Sequence, residues 1–116
     1  MTGNNMLTSF NPFDAKTILD GIRRWVEIET PTEAPEKVNT LATMVAEGYR
    51  DLPATIERVA GHSGCGDHIL ARSSWGQDAP GILVLSHLDT VHPLGFIQRL
   101  PFRIEATAPS ARASTT

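Results

Sequence analysis

The sequence predicts an α/β fold in which two N-terminal helices pack on a mixed sheet. Apolar residues recur at helical spacing in the first half of the chain and alternate with polar ones after Pro53. They then form an unbroken run at residues 82–85, as buried strands do. A chain of 116 residues is long enough for one such domain and too short for two.

The first helix is predicted to start at Asn11. An Asn cap, Pro12 at the first helical position and Asp14 in the first turn all suit the unpaired amide groups of a helix N-terminus. The helix is expected to run to about Glu27, where the ETPTEAPE stretch ends it. One apolar stripe should face a core, and it consists of Ile18, Ile22, Trp25 and Val26.

A second helix is predicted to be capped by Thr32, to begin at Pro35 and to end at Pro53. Its apolar residues follow the helical spacing more regularly than those of the first helix. The stripe consists of Val38, Leu41, Ala42, Val45, Ala46 and Tyr49.

Strands are predicted after the second helix. Residues 55–60 and 68–73 alternate as half-buried strands do, and the glycine-rich turn GHSGCGD joins them. Residues 82–85 are typical of a central strand covered on both faces, and residues 102–105 are a further strand candidate. The order of elements along the chain, two helices and then several strands, favours a fold in which the helices form a layer on a sheet.

Composition excludes several classes of function. The net charge of -3, with no basic run, argues against a nucleic-acid partner. No window reaches the roughly 18 consecutive apolar residues of a membrane span, and no secretory or mitochondrial leader is predicted. The single cysteine, Cys65, excludes an internal disulfide framework and fits a reducing compartment. A cytoplasmic protein without nucleic-acid or membrane partners is therefore expected, and its oligomeric state is left open.

The candidate site is the segment SHLDTVHP, which follows the predicted central strand. Ligands in open α/β sheets gather beyond the carboxyl ends of strands. His87 followed by Asp89 suits a metal ligand and its orienting neighbour, because a ligating imidazole needs a second acceptor to fix its tautomer. Taken alone, this short pattern favours a surface or capping pair over a metal site.

The segment GILVLSHLDTVHPLG resembles the metal-binding strand and loop of a zinc-dependent carboxypeptidase and deacylase family. That family includes glutamate carboxypeptidase, acetylornithine deacetylase and succinyl-diaminopimelate desuccinylase. Three further segments resemble segments of the glutamate carboxypeptidase branch and occur in the same order: WVEIETPT, GCGDHILAR and QRLPFRIE. The resemblance covers residues 13–105 and implies the N-terminal part of a zinc-hydrolase catalytic domain, preceded by a flexible N-terminus at residues 1–12.

The resemblance further implies that His87 is a ligand of one metal in a two-zinc centre and that Asp89 is the catalytic carboxylate that holds its ring. The intact enzyme would cleave an amide bond next to an amino-acid carboxylate, in small N-acyl or C-terminal amino-acid amides. The family's bridging Asp, its Glu general base and its remaining ligands lie later in its sequence. One imidazole is not expected to retain zinc, so we expect the 116-residue chain alone to be inactive.

Residues 106–116, ATAPSARASTT, carry no large apolar side chain and no acid, and are expected to be disordered. Codons compatible with residues 105–116 and a following TGA stop codon, read with one base restored, encode EGDRAFGPGIYDM, which resembles the family's next segment. The resemblance therefore implies an out-of-frame tail left by a one-base deletion or a sequencing error.

Two alternatives come from the residues themselves. The chain could be a small non-catalytic α/β binding or interaction module. His62, Cys65 and His68 are spaced at threes around glycines, as in a zinc knuckle. A knuckle needs a fourth ligand that the segment lacks, so we predict an ordinary connecting turn.

Overall fold

The computed structural model describes residues 11–76 and 78–106. Among them it has helices and a two-stranded antiparallel sheet, which confirms the predicted α/β class. The predicted flexible N-terminus and out-of-frame tail lie outside the described residues, except for residues 11, 12 and 106. In chain order the elements are α1 (Ala15–Val26), α2 (Pro35–Gly48), β1 (Ala54–Val59), β2 (His68–Ser73) and α3 (Phe96–Arg99).

Helix α1 begins at Ala15 because Asp14 caps it. The Asp14 carboxylate accepts a hydrogen bond from the Thr17 amide at 3.1 Å and so satisfies one of the free N–H groups of the first turn. Asn11 instead accepts a bond from the Phe13 amide, in the turn that precedes the helix. The predicted start at Asn11 was therefore wrong, because Asp14 and not Asn11 is the N-cap residue.

The apolar stripe of α1 is not buried. Its side chains, predicted to face a core, are between 40% and 46% exposed: Ile18, Ile22, Trp25 and Val26. The amphipathic pattern is present, but the described part of the chain covers this stripe only in part. None of the described helices is long and apolar enough to cross a membrane.

Helix α2 supplies the buried core. It begins at Pro35, as predicted, since proline lacks the N–H that would be unpaired at this position. Ala34 occupies the N-cap and no side chain caps the helix, so the predicted cap by Thr32 was wrong. The helix ends at Gly48, before Pro53. Its buried side chains are Val38, Leu41, Ala42 and Val45.

Strands β1 and β2 pair antiparallel over their full length. The pairing runs from Ala54 opposite Ser73 to Val59 opposite His68. The observed β2 has the predicted bounds, and β1 starts one residue earlier than predicted.

The turn between the strands packs against α2, and Gly66 makes the close approach possible. A Cβ added at Gly66 would lie 2.5 Å from Cγ1 of Val38. The next amide, of Asp67, donates to Oδ1 of Asn39 at 2.7 Å, and the Asp67 carboxylate accepts from Arg58 at 2.8 Å. The contacts with Val38 and Asn39 join the turn to the core helix, and the contact with Arg58 joins the turn to β1.

Residues 82–85 form no strand, so the prediction of a buried central strand was wrong. Their side chains are 95%, 75%, 83% and 83% exposed in the order Ile82, Leu83, Val84 and Leu85. No backbone hydrogen bond joins residues 81–87 to another described residue. Residues 102–105 are likewise outside any strand. A strand needs a hydrogen-bonded neighbour, and the described part of the chain brings none to either segment.

Candidate functional site

The site loop, residues 86–93, is fastened to the segment between α1 and α2. The Thr90 amide donates to the Thr30 carbonyl at 2.7 Å, and the Thr30 hydroxyl donates to the Leu88 carbonyl at 2.8 Å. Pro31 forms an isolated parallel bridge with Thr90. Because Thr30 and Pro31 are buried, the loop is anchored to a fixed part of the structure.

The structure brings the two predicted site residues together. Nδ1 of His87 lies 3.2 Å from Oδ1 of Asp89. The other carboxylate oxygen, Oδ2, accepts a hydrogen bond from the Thr32 hydroxyl at 2.7 Å. The His87 side chain is 92% exposed, whereas that of Asp89 is 32% exposed. The imidazole therefore presents Nε2 to solvent while the carboxylate holds Nδ1.

Hydrogen bonding keeps Asp89 ionised. The Thr32 hydroxyl, and after it the His87 ring, lower the pKa of Asp89 below its ordinary value. An ionised carboxylate can only accept hydrogen bonds, so it favours the tautomer of His87 that carries the proton on Nδ1. In that tautomer Nε2 has a free lone pair.

His87 stands at the edge of an apolar groove of about 500 Å³. Small-molecule sites commonly enclose about 300–1,000 Å³. His92 lines the same groove and stacks on the ring of Phe96, with ring centroids 4.5 Å apart. Other lining side chains come from all three helices and include Trp25, Leu41, Ile97 and Leu100.

Glu29 is a site residue that the sequence analysis missed. Its carboxylate accepts the Gly95 amide at 2.9 Å and the Ile97 amide at 2.8 Å. These two bonds, the Ile97 bond first, lower the pKa of Glu29 below its ordinary value. Glu29 thereby fastens the start of α3 to the end of α1. The one local signal was Gly95, whose φ of 90° favours glycine before a short helix.

The residues brought together do not make a complete metal centre. The described residues contain no group of three or more His, Cys, Asp or Glu side chains that could hold a metal ion. Among the described residues, His62, Cys65 and His68 form no such group either. Catalytic zinc normally takes about three protein ligands. The site residues present therefore do not by themselves fit the two-zinc centre that the family resemblance implies, and the ligand role of His87 stays a prediction.

Comparison with known proteins found a weak similarity to a carboxypeptidase. Carboxypeptidase G2 of Pseudomonas sp. (strain RS-16) is 26% identical to this chain over 104 residues, which is 88% of this chain and 25% of the carboxypeptidase. The chain thus spans about a quarter of the length of this curated relative. No protein-family model matches the chain, and no solved structure matches it. The similarity indicates a carboxypeptidase-like relationship.

Proposed function

We propose that this chain contributes one metal ligand, His87, and its orienting carboxylate, Asp89, to a metal-dependent amide hydrolase. The observation that carries the proposal is the chain of contacts from the Thr32 hydroxyl through the Asp89 carboxylate to Nδ1 of His87. A carboxylate on one ring nitrogen is the usual device that fixes a metal-binding imidazole through the other nitrogen. The similarity to a carboxypeptidase supports the same proposed function.

The site loop is suited to present this imidazole with little motion. Its backbone is bonded to Thr30, which is buried, and the Asp89 carboxylate is bonded from both sides. A ligand held in one orientation loses little conformational entropy when it binds a metal. We therefore propose that the loop is preorganised for a ligand at Nε2 of His87.

The proposed metal is zinc, and the proposed substrates are small N-acyl amino acids or C-terminal amino-acid amides. The similarity to a protein named carboxypeptidase supports an amide bond beside an amino-acid carboxylate as the point of cleavage. The remaining ligands and the catalytic base would have to come from outside the described residues, since these hold no group of three candidate ligands. We accordingly propose that the 116-residue chain alone neither keeps stoichiometric zinc nor turns over substrate.

A zinc titration of the purified chain, followed by ¹⁵N NMR of the imidazole rings, tests the ligand role of His87. We expect weak binding in which Nε2 of His87 responds to zinc while Nδ1 keeps its proton, because Asp89 occupies that side. In Asp89→Ala this selectivity should be lost, whereas Asp78→Ala, a change at an exposed acid away from the site, should keep it. A response at Nδ1, or none at His87 while other rings respond, would refute the proposal.

Metal analysis and an assay on acylated amino acids test the proposal that the 116-residue chain alone is inactive and keeps no stoichiometric zinc. The purified chain should contain far less than one zinc per molecule and show no hydrolysis. Stoichiometric zinc, together with turnover that His87→Ala abolishes and His62→Ala preserves, would contradict this expectation. No observation favours the non-catalytic binding module over the hydrolase proposal.

A further inference from the structure

His92 is a second imidazole in the lining of the apolar groove that His87 borders. Its ring stacks on the ring of Phe96, with centroids 4.5 Å apart and planes inclined by 15°. No hydrogen bond among the described residues engages its ring nitrogens. Stacking occupies one face of an imidazole and leaves its edge available, and a neutral imidazole has one donor and one acceptor nitrogen there. His92 therefore offers an unused donor and an unused acceptor to a ligand in the groove.

The position of the His92 ring depends on Phe96, which belongs to the short helix α3. A helix of 4 residues is not stable by itself, because forming its first turn costs more conformational entropy than its few hydrogen bonds offset. The guanidinium of Arg99 lies 5.5 Å from the centroid of the Phe96 ring, but Arg99 belongs to α3 as well. Contacts from outside the helix must therefore hold the Phe96 ring in place.

Glu29 supplies hydrogen bonds of this kind on both sides of Phe96. Its carboxylate accepts the Gly95 amide at 2.9 Å and the Ile97 amide at 2.8 Å, and these two residues are the chain neighbours of Phe96. The other backbone hydrogen bonds described for residues 93–100 stay within that segment. Hydrogen bonding between α3 and the rest of the described chain thus depends on one carboxylate.

The lining of the groove favours an uncharged ligand. Among the described residues that line it there is no lysine or arginine, and its one carboxylate, that of Glu29, is bonded to two amides. A charged group is costly to bury in such a lining without a partner. The imidazoles of His87 and His92 provide hydrogen-bonding groups beside apolar side chains. A neutral amide with an apolar substituent matches both features.

We propose that Glu29 is a positioning residue of the groove: it holds Phe96 from both sides and so places the stacked His92 ring where its nitrogens hydrogen-bond an amide ligand. Glu29 itself does not touch the ligand, because its carboxylate is bonded to the two backbone amides. The placement of His92 by Glu29 follows from the contacts alone. That the ligand is an amide rests on the proposed function as an amide hydrolase.

The ring-proton NMR shifts of His92 test the positioning role. The ring current of Phe96 displaces the proton signals of a ring stacked on it, and Phe96→Leu should abolish this displacement. Glu29→Gln should lose most of it, because a side-chain amide has one acceptor oxygen for two backbone donors. His92 signals that move in Phe96→Leu but keep their positions in Glu29→Gln would overturn the proposal.

Two control variants separate positioning from general stabilisation. Val38→Ala truncates a buried side chain of α2 that does not line the groove, so it destabilises the fold without touching α3. Glu33→Gln removes an exposed carboxylate close to Glu29 in the sequence. The His92 signals should stay in place in both variants. A displacement in Val38→Ala as large as that in Glu29→Gln would show that Glu29 only stabilises the fold, and would refute its positioning role.

A titration with N-acetylleucine amide, an uncharged amide with an aliphatic side chain, tests the ligand. We expect a saturable response of the ¹⁵N signals of His92 and none of His62, which does not line the groove. Glu29→Gln should weaken this binding by about threefold or more, and so should His92→Phe, which keeps an aromatic ring and removes both nitrogens. No saturable response at His92, or equal binding by the natural chain and Glu29→Gln, would contradict the proposal. Neither measurement uses zinc, so failure here and failure of His87 to bind zinc are separate results.

Discussion

The hydroxyl of Thr32 lies 2.7 Å from Oδ2 of Asp89 and joins positions 57 residues apart in the chain. The other oxygen of the same carboxylate meets Nδ1 of His87. Thr32 therefore does not cap a helix but supports the residue that orients the candidate ligand. The geometry of His87 depends on a side chain from a different part of the sequence.

Replacing Thr32 by valine should raise the pKa of Asp89 toward its ordinary value. Valine keeps the shape of the side chain and removes the hydroxyl, which is the main cause of the lowered pKa. A folded-state pKa below the unfolded one stabilises the fold above the ordinary carboxyl pKa, and this contribution is lost as the pH falls through the lowered value. Thr32→Val should reduce that acid-sensitive contribution.

A ¹³C NMR titration of the Asp89 carboxyl group measures this change. Thr40→Val is the control, because the Thr40 hydroxyl donates to the Glu36 carbonyl within α2 and should leave Asp89 unaffected. An Asp89 titration that is the same in Thr32→Val as in the natural chain would show that the hydroxyl has no such role.

Removing the Asp89 carboxylate should change the tautomer of His87. In the natural chain the proton is expected on Nδ1, which faces the carboxylate at 3.2 Å. In Asp89→Ala this preference should shift toward a proton on Nε2. The ¹⁵N shifts of the ring report the tautomer directly, and the ring of His92, which stacks on Phe96, is an internal control. The idea fails if His87 shows the same tautomer in both proteins.

Acid should release the start of α3 from Glu29. The Gly95 and Ile97 amides bind the ionised carboxylate and lower the pKa of Glu29, so the contact persists above the ordinary Glu pKa and is lost as the pH falls through the lowered value. The two amide signals should therefore titrate together in ¹H–¹⁵N NMR spectra. Their midpoint should lie below the ordinary glutamate value.

Glu29→Gln provides the matching variant. An amide side chain has one acceptor oxygen, so it cannot receive both amides as the carboxylate does. We expect faster hydrogen exchange at Gly95 and Ile97, and no acid titration of their signals. Glu33→Gln changes an exposed acid in the turn before α2 and should leave both amides unchanged. Unaltered exchange in Glu29→Gln would contradict the role given to this carboxylate.

Gly66 and Gly48 should respond oppositely to alanine. A methyl group at Gly66 would press on Val38 in the core helix, and such overpacking costs about 1–3 kcal/mol. At Gly48, in the last turn of α2, a methyl group meets nothing within 4 Å and should stabilise the helix by up to about 1 kcal/mol. Urea unfolding followed by circular dichroism measures both changes. Equal unfolding midpoints for the two variants would show that the turn does not pack on α2 as described.

Several local elements could be predicted from patterns within a few residues of the chain. The bounds of β2 and the start of α2 at Pro35 were predicted correctly, because alternation and an N-terminal proline act over a few residues. The sequence also offered His87 and Asp89 as candidate site residues, with roles that rest on the family resemblance and stay predictions. The structure places the two side chains 3.2 Å apart.

Whether an apolar pattern is buried depends on contacts between distant segments, which the sequence patterns do not reveal. The apolar run at residues 82–85 has the composition of a central strand but remains exposed, because burial depends on neighbours that the described part of the chain does not supply. Thr32 and Glu29 entered the site for the converse reason: each is placed by folding beside residues more than fifty positions away. Periodicity specifies which face of a segment is apolar, whereas burial and hydrogen-bond partners depend on contacts between segments distant in sequence.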